Sequence, residues 1–192
     1  MVGGLHMKIS IDGSPSFNLI KLIKERKIEK MAEIGVYGGK NAKFILRACK
    51  DILKEYWGID KYDTFWADGE NYYRYLDKNG WNNLYKHACK YIPFFPQFRI
   101  LKMESEEAAL LFPKFYFPDG YFDFVYIDAN HFYSAVKRDI ELWLPLIKKG
   151  GVIGGHDYGK PKFPGVDRAV IEKFGLEKIT YYERQGMWIV DC

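Results

Sequence analysis

Cysteine is scarce in this chain of 192 residues. The three that occur, Cys49, Cys89 and Cys192, are an odd number and lack the spacing of a metal site. Reduced thiols in a cytoplasmic protein are the simplest interpretation. The sequence also lacks an apolar run of membrane-spanning length and the charged, apolar and small residues of a secretory signal. These absences argue against a disulfide-stapled secreted domain and against a membrane partner, and they predict a cytoplasmic location.

The chain has no block of like charge. Lysine and arginine number 29 against 25 acidic residues, for a net charge of +4. Such mild basicity permits an anionic partner without requiring one, and we expect no nucleic-acid partner. The length fits one domain. Residues 1–7 end in a second methionine and resemble a cloning remnant, so 8–192 is expected to form a single domain that could have been cut from a longer protein.

Two common nucleotide-binding motifs are missing, the phosphate loop and the G-x-G-x-x-G fingerprint. Instead, an apolar strand over 31–36 contains Glu33 and leads through Gly35 and Gly38 into a helix over 40–54. Glycine allows a sharp turn and close approach to a ligand, and the helix start offers unpaired N–H groups. A carboxylate here would repel a pyrophosphate but suits a cationic ligand, such as the ammonium and sulfonium of S-adenosylmethionine. A plain tight turn is the alternative.

Two further predicted strands end in polar residues. Asp60 ends the strand over 56–60 and lies 22 positions after Gly38, the offset at which a carboxylate accepts hydrogen bonds from ribose hydroxyls. It could otherwise be a turn residue. Glu104 and Ser105 follow the strand over 98–102, where they could bind the adenine edge or cap a short helix through Leu111.

An aromatic-rich segment over 61–96 lies between these strands. A helix around 70–90 is predicted, closed by Pro93 and Pro96. The rings could form a lid that stacks on a base or a sugar, or could simply cover the edge of the sheet.

The clearest strand, 122–127, is almost continuously apolar and is followed by Asp128 and His131. The next helix carries an apolar stripe from Val136 to Ile147, and Lys148 to Gly151 are expected to end it. The next predicted strand, over 152–158, contains His156 and Asp157 near its end.

Strands and helices alternate throughout, which predicts an α/β fold with a doubly wound, mostly parallel sheet. The last two strands, 178–182 and 186–190, are joined too closely to be parallel, so they form an antiparallel edge pair. Ligands of such sheets bind beyond the carboxyl ends of the strands, where Glu33, Asp60, Asp128 and Asp157 fall.

The polar residues at the ends of the strands over 122–127 and 152–158 suggest a metal site. Asp128 and Asp157, together with His156, could bind a divalent cation such as Mg²⁺ or Mn²⁺. His131 could then take the proton from a hydroxyl that the metal has acidified. The alternative is structural: Asp128 or Asn130 would cap the next helix, and His156 would be a buried, hydrogen-bonded histidine.

Several of these motifs together resemble the class I S-adenosylmethionine-dependent methyltransferases. The motifs are E-I-G-V-Y-G-G from Glu33, G-I-D ending at Asp60, F-D-F-V-Y-I-D-A-N-H ending at His131, the segment from Asp139 to Ile153, and G-H-D-Y around Asp157. The similarity covers about 30–175, and within the class it is closest to the group of macrocin and mycinamicin O-methyltransferases and cephalosporin-hydroxylase-like proteins.

This resemblance implies a Rossmann-like sheet of seven strands and methyl transfer to a hydroxyl of a sugar or another polyhydroxylated, small-molecule or glycan acceptor. It implies a metal-binding Asp128 and a catalytic His131. His156 stands where the group has an acid. The expected cofactor-binding residues are Glu33, Gly35, Tyr37, Gly38, Asp60, Lys61, Glu104, Ser105 and Asp128, and the expected metal ligands are Asp128, His156 and Asp157.

Two other functions remain open at this level. A nicotinamide-dependent oxidoreductase on the same scaffold is disfavoured by Glu33 and the missing fingerprint. A non-catalytic module that binds S-adenosylmethionine is the second. The acceptor and the oligomeric state are not encoded in any motif.

Overall fold

The computed structural model describes residues 15–64, 66–67, 70–71, 76–112 and 117–192. Some predictions lie outside this part of the chain. They concern residues 1–7 and the side chains of Phe65, Trp66, Tyr72, Tyr73 and Tyr75 within the aromatic-rich segment.

The described chain contains a main sheet and helices on both of its faces. The strands of the main sheet are β1 (Lys30–Ile34), β2 (Glu55–Ile59), β3 (Phe98–Leu101), β4 (Phe122–Ile127), β5 (Ile147–Gly155), β6 (Thr180–Tyr182) and β7 (Met187–Asp191). The helices are α1 (Pro15–Arg26), α2 (Lys40–Cys49), α3 (Lys78–Cys89), α4 (Ser105–Ala109), α5 (Tyr133–Trp143) and α6 (Pro164–Phe174). Single 3₁₀ turns cover Ile92–Phe94, Leu144–Leu146 and Leu176–Lys178, and Trp66–Ala67 pairs with Glu70–Asn71 in a separate two-stranded ribbon.

The main sheet has the strand order β3-β2-β1-β4-β5-β7-β6. The first five strands in this order are parallel, whereas β7 is antiparallel to both β5 and β6. This confirms the predicted seven-stranded, doubly wound sheet with an antiparallel edge. Because the chain order reverses between β1 and β4, the polar residues that follow these two strands face one crevice.

Each face of the sheet is covered by its own apolar layer. Helices α1 to α3 supply one layer, in which Leu19, Ile45 and Trp81 are buried against Tyr56 and Phe98. Helices α4 to α6 supply the other, with Ala108, Val136, Ile140 and Val170 packed around Trp143 and Trp188. The two layers fix the sheet from both sides, so the strand ends are held in place.

The end of α5 differs from the prediction. The helix ends at Trp143, and Leu144–Leu146 form a 3₁₀ turn that contains Pro145. Proline removes an N–H donor and cannot continue the helix. Ile147 and the segment from Lys148 to Gly151, expected at the helix end, therefore begin β5 instead.

Other elements are shorter than predicted. The helix expected over 40–54 ends at Cys49, and the helix expected around 70–90 covers Lys78–Cys89. Asp77 caps the latter by accepting a hydrogen bond from the Gly80 N–H at 2.7 Å. Within the described part of the chain, no helix has the length and apolarity to cross a bilayer.

Candidate active site

The turn between β1 and α2 forms the floor of the site. Gly35 has a φ of 95°, and a Cβ there would overlap the Asp128 carbonyl oxygen at the end of β4. Only glycine permits this close approach of the two strand ends. Gly35 N–H donates to the Ile59 carbonyl at 2.8 Å, and Asp128 N–H donates to the Ile34 carbonyl at 2.7 Å. The ends of β1, β2 and β4 are thereby joined around one crevice.

Glu33 is buried beneath this turn, with 1% of its surface exposed. One carboxyl oxygen accepts a hydrogen bond from the Tyr56 hydroxyl at 2.7 Å and the other from the Asn41 amide at 2.7 Å. Burial raises the pKa of Glu33 to about 8; the two hydrogen bonds lower it, and the charges of Asp128 and Asp60 raise it further. This raised pKa favours the protonated form at pH 7, whereas the sequence alone suggested a charged carboxylate suited to a cationic ligand.

Asp60 holds the turn in shape. One carboxylate oxygen accepts hydrogen bonds from the Val36 and Tyr37 N–H groups at 3.0 and 2.8 Å, and the other accepts one from the Tyr62 N–H at 2.8 Å. Burial raises the pKa of Asp60, while these backbone hydrogen bonds oppose the shift. Tyr37, with a φ of 52°, is one of the few residues other than glycine in the left-handed region. Asp60 thus stabilises an otherwise unfavourable backbone conformation.

Four residues after β4 and β5 form a compact cluster. His131 Nε2 lies 2.7 Å from an Asp157 carboxylate oxygen. His156 Nδ1 lies 3.3 Å from the same oxygen and 3.6 Å from an oxygen of Asp128. Asp157 adopts a φ of 60°, a conformation that aspartate tolerates better than most residues. The cluster brings together all four residues that were predicted to act in metal binding or proton transfer.

The cluster shifts the pKa of its members in opposite directions. Burial raises the pKa of Asp128 to about 6, although His156 and His131 oppose this. Burial would also raise the pKa of Asp157, but contacts from His131 and His156 outweigh it and hold the pKa well below its usual range. Burial would lower the pKa of His156, yet the two carboxylates raise it overall. Asp157 is therefore the more firmly ionised carboxylate.

The donor set fits a divalent cation. One ligand atom each from Asp128, His131 and Asp157 lie within 4.8 Å of one another. Ligands at a little over 2 Å from a common ion have separations in this range. Two carboxylates suit Mg²⁺, while an added imidazole suits Mn²⁺ better. The tightest group contains His131, whereas the sequence predicted His156 as the ligand.

Two adjoining cavities open over the strand ends. The larger, of about 690 Å³, is lined by Glu33, Tyr37, Gly38 and the Asp128, His131 and Asp157 cluster. The smaller, of about 470 Å³, is lined by Lys61, Glu104 and Ser105. Gly35 and Asp60 line both. Each predicted cofactor residue therefore faces one of two connected cavities.

The smaller cavity has a polar edge that sequence reasoning only partly anticipated. The Ser105 hydroxyl donates to Asp139 at 2.5 Å and accepts from the Trp143 indole N–H at 2.8 Å. The N-cap of α4 is Glu104, and its side chain makes no capping hydrogen bond, so the structure does not show the capping alternative for Glu104 and Ser105. Glu104 instead pairs with Lys61 at 3.2 Å across the cavity rim.

Some contacts in the site carry no local sequence signal. The Phe163 ring stacks on His131, with centroids 4.2 Å apart and planes 21° apart. Tyr56 and Asn41 hold Glu33, and Asp139 holds Ser105, across separations of 8 to 34 positions. Asn130 accepts a hydrogen bond from the Phe132 N–H at 3.0 Å before α5 begins. Phe132 is the N-cap of α5 and that helix has no side-chain cap, so the capping alternative for Asn130 and Asp128 is not observed.

The strand order, the glycine turn after β1 and the acids at the strand ends define a class I S-adenosylmethionine-dependent methyltransferase. A family model described as "Methyltransferase domain" matches residues 32–158. The chain belongs to this family, and the class of enzyme expected from the sequence is confirmed. Among curated proteins, none matches this sequence.

Solved structures share the fold at low sequence identity. A structure described as a putative caffeoyl-CoA O-methyltransferase from Staphylococcus aureus has a TM-score of 0.64 at 15% identity, with 96% of this chain and 85% of that chain covered. TomG from Streptomyces achromogenes, an O-methyltransferase solved with S-adenosylmethionine, gives 0.61 at 15% identity, with 92% and 78% covered. CalS11, described as a TDP-rhamnose 3'-O-methyltransferase, gives 0.62 at 16% identity, with 91% and 77% covered.

Proposed function

We propose that this enzyme transfers the methyl group of S-adenosylmethionine to a hydroxyl of a sugar or a similar polyhydroxylated molecule. The observation that carries the proposal is the Asp128, His131 and Asp157 cluster, which lines the same cavity as Glu33 and the glycine turn. A base and an anionic ligand set placed beside the methyl donor suit the alkylation of an oxygen atom. CalS11, which acts on a sugar, supports the choice of acceptor class.

The cofactor would occupy both cavities. The adenosine part fits the smaller cavity, where Ile34, Ile59 and Ala129 supply apolar contacts and Asp60 lies between the cavities. The free lone pair on the Asp60 oxygen that accepts only from Tyr62 suits one ribose hydroxyl. The methionine part would then cross Gly35 towards Glu33, which places the sulfonium beside the larger cavity.

His131 is proposed as the general base. Its ring is fixed between the Phe163 ring and the Asp157 carboxylate, which also favours the protonated imidazole formed when the base accepts a proton. Asp128 and Asp157, with His156 as the third ligand, would hold a divalent ion, which when bound would stabilise the negative charge on the acceptor oxygen. The remaining contribution of the chain is to align the oxygen, methyl carbon and sulfur.

The test combines one substitution with a binding measurement. His131→Ala should lower turnover by about 10²-fold or more, as for the loss of a general base, while the dissociation constant of S-adenosylhomocysteine stays within about twofold. Turnover is measured as methyl transfer to a panel of hydroxylated sugars, with and without a chelator. Lys173→Ala, which truncates an exposed side chain on α6 away from the larger cavity, is the control and should keep full turnover. Unchanged turnover in His131→Ala would remove this residue from the mechanism.

A failure of cofactor binding would have a different meaning. If the wild-type protein bound no S-adenosylhomocysteine in a calorimeter, the assignment of both cavities would be wrong. If turnover persisted in the presence of a chelator, His131 would remain the proposed base and only the divalent metal would be excluded from the mechanism.

A further inference from the structure

The two segments that contribute α2 and α3 to the wall of the larger cavity are rich in basic residues. Residues 37–50 contain Lys40, Lys43, Arg47 and Lys50, and residues 78–103 contain five lysines or arginines; neither segment contains an aspartate or glutamate. Both segments border the same cavity, through Lys40 on α2 and through Trp81, Leu84 and His87 on α3.

The glycine turn brings the two segments into contact. His87 Nδ1 lies 2.7 Å from the Gly38 carbonyl oxygen. A Cβ on Gly39 would approach Ala88 and Tyr91 to 3.1–3.2 Å, so the turn packs directly on the end of α3. The ammonium group of Lys43 lies 5.8 Å from the centre of the Tyr91 ring. Lys40 and His87 line the cavity, and Lys43 follows Lys40 by three positions, on the same face of α2. We call these three residues the cationic corner.

The cationic corner has no internal counter-charge. In the part of the chain that the structure describes, neither Lys40 nor Lys43 forms an ion pair. The acids that line the cavity are already engaged. Glu33 is bonded by Tyr56 and Asn41, Asp60 by three backbone N–H groups, and Asp128 and Asp157 contact histidines.

Aromatic rings line the cavity as well. The Tyr37 ring is 47% exposed and meets Trp81 edge to face at 6.4 Å, and Phe163 lies beside His131. Such rings suit the apolar face of a sugar. A ligand that presents a hydroxyl to His131 can extend past Tyr37 towards Lys40, where an anionic substituent would find unpaired cations.

We infer that the methyl acceptor is an anionic sugar whose carboxylate or phosphate group binds the cationic corner. The inference rests on the proposed function, because it assumes that the acceptor occupies the larger cavity. It assigns Lys40 and Lys43 to acceptor recognition and gives them no part in the chemical step. A carboxylate and a phosphate share the chemistry that a lysine pair recognises, so both sources are tested.

The experiment measures sugar binding by calorimetry to the enzyme saturated with S-adenosylhomocysteine. The probes are methyl glucoside, methyl glucuronide and glucose 1-phosphate. At low salt, at least one of the charged sugars should bind about tenfold or more tightly than the neutral one. The preference should fall to within about twofold in Lys40→Gln/Lys43→Gln and at high salt, because both changes weaken charge pairing. The charged sugar that binds more tightly shows whether the cationic corner recognises a carboxylate or a phosphate.

The control is Lys149→Gln/Lys173→Gln, which removes the same charge from β5 and α6, away from the larger cavity, and should keep the preference. Equal binding of charged and neutral sugars, no measurable binding of any probe, or tighter binding of a short DNA duplex would each overturn the inference. A weaker affinity for S-adenosylhomocysteine in Lys40→Gln/Lys43→Gln would also overturn it, because the corner would then bind the cofactor. Failure of the wild-type enzyme to bind S-adenosylhomocysteine would instead reject the proposed function.

Discussion

Glu33 is a buried acid whose two oxygen atoms are bonded by neutral donors, the Tyr56 hydroxyl and the Asn41 amide. Around it the structure places the carboxylates of Asp60 and Asp128, whose negative charges disfavour the ionisation of Glu33. A cationic ligand would reverse this balance. Ligand binding should therefore be linked to the release of a proton from Glu33.

This linkage predicts a pH dependence. Because the ionised form binds a cation better, the affinity for S-adenosylmethionine should rise by about threefold to tenfold per pH unit as the pH approaches about 8, and then level off. Calorimetry at pH 7 in two buffers of different ionisation enthalpy measures the proton released. Glu33→Gln should abolish both effects, and Glu107→Gln, an exposed acid on α4, should abolish neither. Equal heats in the two buffers would show that Glu33 does not ionise.

Asp60 is expected to contribute both to the stability of the protein and to cofactor binding. Asp60→Asn replaces one acceptor oxygen by an N–H₂ group that faces backbone donors, so a buried hydrogen bond is lost. We expect a loss of about 1–3 kcal/mol in the free energy of unfolding. The dissociation constant of S-adenosylhomocysteine should rise at least about tenfold, since the turn loses its anchor. Urea unfolding and calorimetry measure the two quantities, and an unaltered dissociation constant would exclude Asp60 from the cofactor site.

Helices α4 and α5 are joined by a polar contact inside an apolar layer. Ser105 donates to Asp139 and accepts from Trp143, and only 6% of Asp139 is exposed. Burial raises the pKa of Asp139 to about 7, partly offset by the Ser105 hydrogen bond and reinforced by the charge of Glu104. The unfolded chain ionises this group near its usual pKa of about 4. Its contribution to stability is therefore complete below about pH 4 and is lost as the pH rises through about 7.

Asp139→Asn isolates this contribution. Asparagine can still accept from Ser105 but cannot ionise, so the variant should gain stability relative to the wild type by on the order of 2 kcal/mol between pH 5 and pH 8. Urea unfolding at several pH values measures the difference. Asp51→Asn, an exposed control, should show none. A constant difference across this range would mean that Asp139 is already ionised in the folded protein.

The main sheet fixes the relative positions of the strand ends that form the site. Neighbouring strand ends meet at Gly35, and each face of the sheet is fixed by its own apolar layer. The cofactor would contact the ends of β1 to β4 simultaneously, so a ligand should stabilise the entire domain.

S-adenosylhomocysteine at about 100 times its dissociation constant should add about 2.7 kcal/mol to the free energy of unfolding. For a chain of this length, that corresponds to a rise in Tm of about 5–10 °C. Thermal unfolding monitored by circular dichroism tests this, with adenosine alone as the weaker-binding control. A Tm that does not depend on ligand concentration would contradict binding of the cofactor to the folded domain.

Local sequence patterns were sufficient to predict the α/β architecture. Apolar strands such as Phe122–Ile127, alternating with amphipathic helices, specify a parallel α/β sheet because each element signals its own type locally. The same local signals placed Glu33, Asp60, Asp128 and Asp157 at strand ends, and parallel strands bring their carboxyl ends to one edge. The predicted end of α5 was wrong because lysines followed by glycines, as at the start of β5, are also typical of a helix C-terminus. The helix ends earlier, at Trp143, because Pro145 cannot continue it.

Only the tertiary structure decided the chemistry of these residues. The protonation of Glu33, the occupation of Asp60 by backbone donors and the engagement of Ser105 by Asp139 depend on burial and on partners up to 34 positions away. The pairing of His131 with Phe163 and Asp157, and the meeting of α2 and α3 at the cationic corner, depend on packing in the same way. Spacing along a chain fixes which elements form, but pKa and hydrogen-bond partners depend on distances through space, which folding alone establishes.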